Sequence, residues 1–512
     1  MTHSIQRQLY NRKRRIERRL APRNFCDQRT PVLTAGNVHY EMSDRILGLA
    51  CGGIGAIHLL ARHSGLIAAI DQGLNLLKVH LPYHESDHVL NIAYNILAGG
   101  VCIEDLELLR INEVYLNALG AQRIPDPTTA GDFCRRFNDP SVQKLMDIIN
   151  DVRVNVWKRQ PTDFFELAIL DADGTLAPTC GQCKQGMGLS YDGQWGYHPL
   201  VISLANTREP LFLVNRSGNR PSHEGAEDYL DRSIVLCREA GFLRILLRGD
   251  TDFSQTTRLD GWDNDGVGFL FGFDAMRHLA AIADSLPKNA WRPLNRPARY
   301  EVKTEPRQRP EDVKEQLVVE HEYKNIRLKS EDVAEFDYQP TACKKGYRMV
   351  VVRKNLSIEK GEQVLFDDVR YFFYITNLPD KSAEQIVLLA NDRCNQENLI
   401  AQLKSGVKAM KMPTQDLSSN WAYMVMASLA WTLKAWMGLS VPVSPGPHRE
   451  RHEEQKRSIL RMEFKQFVNG LVNVPCQIVR QAGKIIYRLL SWNPWQQVLV
   501  RVAQSLRRPM RC

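Results

Sequence analysis

No stretch of this sequence stays apolar for long enough to suggest a helix that spans a bilayer. The two richest stretches, ILGLACGGIGAIHLLA from Ile46 and WAYMVMASLAW from Trp421, are short and end near Arg62 and Lys434, so both read as buried helices. A signal-peptide pattern is also missing, because the basic N-terminal run is not followed by an apolar segment and a small-residue cleavage site. The eleven cysteines are odd in number and scattered from Cys26 to Cys512, which fits a reducing cytosol better than a disulfide framework. Only Cys180 and Cys183 form a Cys-x-x-Cys pair, and without a second pair at finger spacing a four-ligand zinc site is not expected. Internal repeats and low-complexity segments are absent. The glycines of CGGIG, from Cys51, follow no strand pattern, so they do not read as a phosphate loop.

What is present is ordinary globular composition: 512 residues, 44% hydrophobic and 24% charged, enough for two to four domains with real cores. The formal charge of +9 favours a polyanionic partner. Part of that charge is concentrated in RQLYNRKRRIERRLAPR, residues 7–23, which reads as a solvated, disordered tail and equally as an arm that tracks phosphates.

From Ser43 to about Asn150 the apolar residues recur three and four apart, as in DHVLNIAYNILAGG and EDLELLRINEVYLNALG, which predicts a small helical domain. DPTTAGDFCRRFND opens a further helix there, with Thr128 or Thr129 as N-cap, and its Arg135 and Arg136 are candidate phosphate contacts on what is otherwise a solvated face. At Phe164 the pattern changes. FFELAIL, YHPLVISLA and PLFLVN read as three strands; a helix, a strand (FLRILLRGD), a short helix and another strand (VGFLFGFD) follow, which suggests a mixed sheet flanked by helices. Residues 290–370 alternate in stretches such as QLVVEHEY, YRMVVVRK and VRYFFYIT, the mark of a β-rich insertion. Long helices resume with SAEQIVLLANDRCNQENLIAQLKSG and SSNWAYMVMASLAWTLKAWMG, and VPVSPGPHRERHEEQKR at 441–457 reads as a linker before a basic, partly helical tail.

Three acidic clusters stand out: Asp171 and Asp173 in LAILDADGT, Asp250 and Asp252 in LLRGDTDF, and Glu397 on a predicted helix. Two divalent metals close together need several carboxylates converging from different elements, and strand ends with a facing helix supply that. Asp before Gly or Thr at a strand end is also ordinary turn chemistry. Arg393 stands four residues before Glu397 and Lys404 seven after it, so at about 100° per residue the three share one sector of a helix. A carboxylate for metal beside a guanidinium and an ammonium for phosphate is a phosphodiester-handling surface; an amphipathic helix with an ion pair looks the same.

With those residues in place, the chain resembles the DDE transposases of bacterial insertion sequences, in the group with the signature Tyr-x2-Arg-x3-Glu-x6-Lys. Arg393, Glu397 and Lys404 match that spacing, and Ala390 stands where the family has tyrosine. NILAGGVCIEDLELLR, PDPTTAGDFCRRF and RSGNRPSHEGA resemble stretches of one subgroup, and the likeness covers roughly residues 40–440. The resemblance implies an α/β fold: an RNase H-like mixed sheet flanked by helices, with a β-rich insertion, an N-terminal helical domain and a helical C-terminal region. The expected division is a basic arm at 1–40, a helical DNA-binding domain at 41–160, the first part of the catalytic core at 161–285, the insertion at 286–372, the second part of the core with the Glu397 helix at 373–440, and a linker and basic C-terminal region at 441–512.

By the family's Asp-x-Thr pattern the resemblance assigns Asp173, Asp250 and Glu397 as ligands of two Mg²⁺, for which Mn²⁺ can substitute, with Asp171 and Asp252 as supporting or alternative carboxylates. It implies double-stranded DNA as partner through Arg393, Lys404, Arg135 and Arg136, a homodimer bridging two ends, no membrane, and a cytoplasmic, nucleoid-associated location in a bacterium. Two other readings stay open: a catalytically weak or inactive DNA-binding descendant, to which Ala390 points, and a haloacid dehalogenase-like phosphatase with Asp171 as nucleophile. The one lysine between Thr175 and Asp250, Lys184, is too close behind the first motif to stabilise a phospho-aspartate, and the Gly-Asp-x3-Asp pattern is not met at Gly249, so the phosphatase match is one motif deep.

Overall fold

In the computed structural model, residues 3–20, 38–40, 47–80, 82–181, 183–296, 313–322, 324–360 and 363–507 are described. The basic N-terminal run is a helix, α1 (His3–Leu20), over those of its residues that are described; the disordered tail expected for 7–23 is corrected for 7–20, and 21–23 lie outside the described residues. Arginine, lysine and glutamine are good helix formers, and Ile5, Leu9, Arg12 and Ile16 make a stripe at helical spacing. Leu9 on that stripe is buried, and Arg12 Nη1 donates to Leu489 O at 2.7 Å.

The N-terminal helices are α2 (Ile54–His63), α3 (Leu66–Gly73), α4 (Glu85–Leu97), α5 (Leu106–Arg110), α6 (Glu113–Leu119), α7 (Pro127–Cys134) and α8 (Asp139–Trp157), preceded by a short strand β1 (Gly48–Leu49). The N-cap of α7 is Asp126, whose carboxylate accepts from Thr129 N at 2.8 Å, rather than Thr128 or Thr129; Pro127 then fills the first helical position, where no N–H is needed. The CGGIG glycines allow close approach of backbone and ring. A Cβ on Gly52 or Gly53 would run into the carbonyls of Val474 or Leu471, and one on Gly55 into the Tyr487 ring.

The central part holds β2 (Ala168–Gly174), a small sheet of β3 (Ala177–Pro178), β4 (Gly188–Leu189) and β5 (Trp195–Tyr197), then β6 (Leu200–Leu204), β7 (Glu209–Val214), α9 (Ala226–Ala240), β8 (Ile245–Gly249), α10 (Thr256–Asn264), β9 (Gly268–Phe273) and α11 (Arg277–Ser285). Phe164 and Phe165, read as strand, belong to a 3-10 turn, Thr162–Phe165. Strands β2, β6 and β7 form an antiparallel meander, whereas β8 and β9 run parallel to β2 on its other side, each reached through a helix.

The β-rich insertion comprises β10 (Arg292–Pro293), α12 (Val313–Glu320), β11 (Lys324–Tyr338), β12 (Tyr347–Lys360) and β13 (Gln363–Thr376). It extends the same sheet: Phe373 to Thr376 of β13 pair antiparallel with β9, giving among the described residues nine strands in the order β10-β11-β12-β13-β9-β8-β2-β6-β7. The expected boundary between residues 372 and 373 thus cuts through one strand.

The predicted helix at SAEQIVLLANDRCNQENLIAQLKSG breaks into α13 (Ala383–Asn391), α14 (Cys394–Ala401) and a π-turn, Gln402–Gly406. At the first break Asp392 O accepts from both the backbone N and the Nδ2 of Asn395, a side chain competing for the helix ladder. α15 (Leu417–Leu439) is buried nearly all round and packs on α4, α8 and β7. After it come α16 (Arg449–Arg461), α17 (Phe464–Phe467), the hairpin β14 (Cys476–Gln481) and β15 (Lys484–Leu489), and α18 (Gln496–Ser505). β14 pairs with β1, so the C-terminal region closes a sheet with the N-terminal one, and Tyr487 donates its hydroxyl to Ala118 O at 2.7 Å. Among the described residues no helix is long and apolar enough to cross a membrane.

A buried charge fixes these layers to one another. Glu209 on β7 accepts from Arg153 Nε at 3.0 Å and Trp157 Nε1 at 2.9 Å, both on α8, and from Trp436 Nε1 on α15 at 2.8 Å.

Candidate functional site

Parallel pairing of β2 with β8 sets Asp171 opposite Arg248, so two positions on, Asp173 is level with Asp250 just past the end of β8. Alternation along β2 puts Asp171 and Asp173 on one face. The two differ in what meets them there. Asp171 is buried, and both its oxygens are taken: Arg248 Nε donates to Oδ1 at 2.7 Å and Nη2 to Oδ2 at 2.8 Å. Arg248 Nη1 in turn donates to Leu389 O at 2.8 Å, tying the pair to α13. A carboxylate so enclosed is neither an attacking nucleophile nor a free metal ligand, which removes the chemical basis of the phosphatase reading.

Asp173 is partly exposed. Arg393, at the break between α13 and α14, places Nη1 3.1 Å from Asp173 Oδ2 and Nη2 3.7 Å from Asp250 Oδ2, so a single guanidinium spans both carboxylates. Burial pushes the Asp173 carboxyl up to about 6; Arg393 pulls against this, and the like charge of Asp250 adds to it. Burial raises Asp250 as well, opposed by Arg393 and reinforced by Asp252. Asp250 also caps the turn that follows it, accepting from Asp252 N at 3.1 Å, while the Asp252 side chain is exposed.

α14 is held to the sheet by Gln396, which is buried between a hydrogen bond from Ser203 Oγ and one to Val201 O at 3.1 Å. Glu397, the next residue, is exposed, and no described residue bonds or pairs with its carboxylate. The structure therefore gathers Asp173, Asp250 and Arg393 but does not bring Glu397 to them; among the described residues no three His, Cys, Asp or Glu side chains are grouped as a metal site. Arg393 is the N-cap of α14 and shares that helix with Glu397, whereas the π-turn alters the helical sector expected for Lys404. Lys404 sits in the π-turn; burial lowers the pKa of its ammonium, and the charge of Asp173 opposes that shift.

The donor set still fits a hard divalent cation: carboxylate oxygens at two adjacent strand ends, one of them held above the ordinary carboxylate range by burial even with the Arg393 guanidinium beside it. Arg135 and Arg136 make their contacts within the N-terminal helices, Arg135 with Asp132 and Arg136 with Leu76 O at 3.5 Å, and neither is linked to the carboxylates. Cys180 and Cys183 are exposed free thiols.

Sequence reasoning missed His198 and Arg216. His198 packs so closely on Gly174 that a Cβ there would lie 2.8 Å from its Cε1, and Arg216 holds the ring from behind. The one signal was the subgroup-like stretch RSGNRPSHEGA, which starts at Arg216 and contains Ser222, another neighbour of Gly174.

Residues 49–511 match the family model described as "Transposase DDE domain group 1". No curated protein matches. Among solved structures, the chain is similar to one described as "Cryo-EM structure of piggyBac transposase synaptic complex with hairpin DNA (SNHP)", with 11% identity, 82% of this chain and 81% of that chain covered, and a TM-score of 0.39.

Proposed function

Because the chain belongs to the DDE transposase family, we propose that it binds the terminal inverted repeats of its own insertion sequence, cuts there and joins the ends to target DNA. The observation that carries this reading is that Asp173 and Asp250, at the ends of neighbouring parallel strands, are both within reach of one guanidinium, that of Arg393. An RNase H-like core is supported by the antiparallel meander β2-β6-β7, with β8 and β9 parallel to β2 beyond it.

Asp173 and Asp250 would hold divalent metal, with Glu397 as the third ligand, and Mg²⁺ is the expected ion, replaceable by Mn²⁺. When bound, such ions activate the attacking oxygen and stabilise the leaving one in an in-line displacement at phosphorus. The chain's own residues do the rest. Arg393, released from the two aspartates, presents a planar fork matched to a phosphate, and Lys404 adds a point charge beside it. α1 presents Arg7, Lys13, Arg14, Arg15, Arg18 and Arg19 to solvent with only Glu17 to offset them, a surface suited to the phosphates of a DNA end. A homodimer bridging two ends is the working unit in this reading, acting on nucleoid DNA in the cytoplasm.

The test is a nicking and strand-transfer assay with purified protein, Mg²⁺ or Mn²⁺, and a plasmid carrying the DNA that flanks the gene on both sides. Cleavage at both flanks that disappears with Asp173→Asn supports the reading. A second reading, DNA binding without catalysis, is favoured by Ala390 and by the ungathered Glu397; end-specific binding without cleavage by the wild type would establish it instead.

A further inference from the structure

Beside Gly174, the residue after Asp173, lies a group that none of the acidic assignments includes. His198 precedes β6, and its ring is packed against Gly174, with Cε1 2.8 Å from where a Cβ would stand. Its Nδ1 is 3.3 Å from Arg216 Nη2. A guanidinium has donors and no acceptor, so Nδ1 of the neutral ring must accept, and the ring proton is on Nε2. Arg216 has no freedom to do otherwise: Nε donates to His198 O at 3.0 Å and Nη1 to Glu224 O at 2.7 Å. Burial and the Arg216 charge disfavour a second proton on the ring; Lys404 acts in the same direction and Asp252 against it. No described residue accepts from Nε2, and the residue is half-buried rather than enclosed. The result is a neutral donor of fixed tautomer, next to the residue that follows Asp173, with its N–H unspent.

We infer that His198 is a catalytic residue of the strand-cleavage reaction, donating Nε2–H to a non-bridging oxygen of the phosphate under attack, and that Arg216 is the positioning residue that fixes this tautomer. The inference rests on the transposase reading. The proton stays on Nε2 throughout, so no transfer has to be balanced. The hydrogen bond strengthens as negative charge grows on that oxygen, which is how a preorganised donor lowers a barrier.

The experiment is single-turnover nicking of the same flank-carrying plasmid by full-length His198→Gln, His198→Asn, His198→Phe, Arg216→Gln and the Arg216→Gln, His198→Phe double variant, with Asp173→Asn as reference. Gln places an amide N–H where Nε2 is, whereas Asn places it near Nδ1 and Phe has none. Expected is a loss of about a hundredfold for Phe and Asn, recovery to within about tenfold of wild type for Gln, and DNA affinity within about threefold throughout. Arg216→Gln should slow wild type but add nothing to His198→Phe, since it acts through the ring.

His198→Phe cutting at the wild-type rate while Asp173→Asn is inert overturns the inference and leaves the transposase reading standing. Gln as impaired as Phe, in variants whose thermal melts match wild type, overturns it in favour of simple packing on Gly174. Wild type that never cuts overturns both.

Discussion

Arg248 meets Asp171 through two parallel hydrogen bonds of 2.7 and 2.8 Å, inside the sheet and out of reach of solvent. The two aspartates of LAILDADGT are therefore not interchangeable, although one face of one strand carries both. Asp171 is spent on holding the fold, and Asp173 is the one left for the proposed metal site.

Replacing the two with asparagine separates these roles. Asp171→Asn leaves a buried guanidinium without its counter-charge and should cost about 3 kcal/mol of stability, read as a lowered midpoint in urea. Asp173→Asn should melt near wild type and lose strand cleavage. Equal stability of the two variants would contradict the assignment.

A second buried charge carries a similar expectation. Glu209 accepts from Arg153, Trp157 and Trp436 and so links β7, α8 and α15. Glu209→Ala should destabilise by about 3 to 5 kcal/mol, since a buried arginine and two indole N–H groups lose their acceptor together. Thermal denaturation followed by circular dichroism measures this.

Acid should loosen the N-terminal helices through His88. Its ring is buried, stacked 4.3 Å from Phe133, and its Nδ1 finds no partner among the described residues. Burial, helped by Arg136 and opposed by Glu85, lowers its pKa from 6.5 to about 4. The folded value lies below the unfolded one, so the neutral ring's contribution is complete above pH 6.5 and is lost as pH falls toward 4. Between pH 7 and 5 this group should cost about 2 kcal/mol. His88→Phe keeps the stacked ring and should show a correspondingly flatter pH dependence in urea unfolding.

The basic face of α1 predicts a salt effect. Changing Arg14, Arg15, Arg18 and Arg19 to Gln should weaken DNA binding more at low salt than at high. The slope of log K against log salt should flatten by about 3 to 4, or roughly 0.9 for each phosphate no longer neutralised. The metal dependence of cleavage should be unchanged. Fluorescence anisotropy with a labelled duplex reads both the affinity and its slope.

The elements that were legible in the sequence are those whose signal is local. Short apolar runs bounded by turn residues gave β2, β6, β7, β8 and β9, helical spacing gave the N-terminal helices, and an apolar stretch gave α15. Carboxylates at strand ends marked Asp173 and Asp250. Non-local pairing was not legible: nothing in YFFYIT says that β13 will zip onto β9, or that β14 will close on β1. Nor does a tract of arginines show that Leu9 and Arg12 anchor it as a helix. The same holds at the site, where the spacing of Arg393 and Glu397 was visible but the break at Asp392 was not. His198 lay outside every acidic motif, and the role proposed for it depends on Arg216, a partner that only the folded chain brings to its Nδ1.

Glu397 is the member of the proposed metal site that geometry supports least, because its carboxylate stands free of the Asp173–Asp250 pair that it must complete. The decisive measurement is the Mg²⁺-dependent cleavage rate of Glu397→Gln on plasmid carrying the flanking DNA, under single-turnover conditions and with end binding measured in parallel. Binding should be unchanged and the rate lowered by about a thousandfold or more, the loss of several kcal/mol of charge stabilisation at the reacting phosphate. Cleavage by Glu397→Gln at the wild-type rate would rule out Glu397 as the third ligand and, with it, the proposed metal-dependent chemistry at this site.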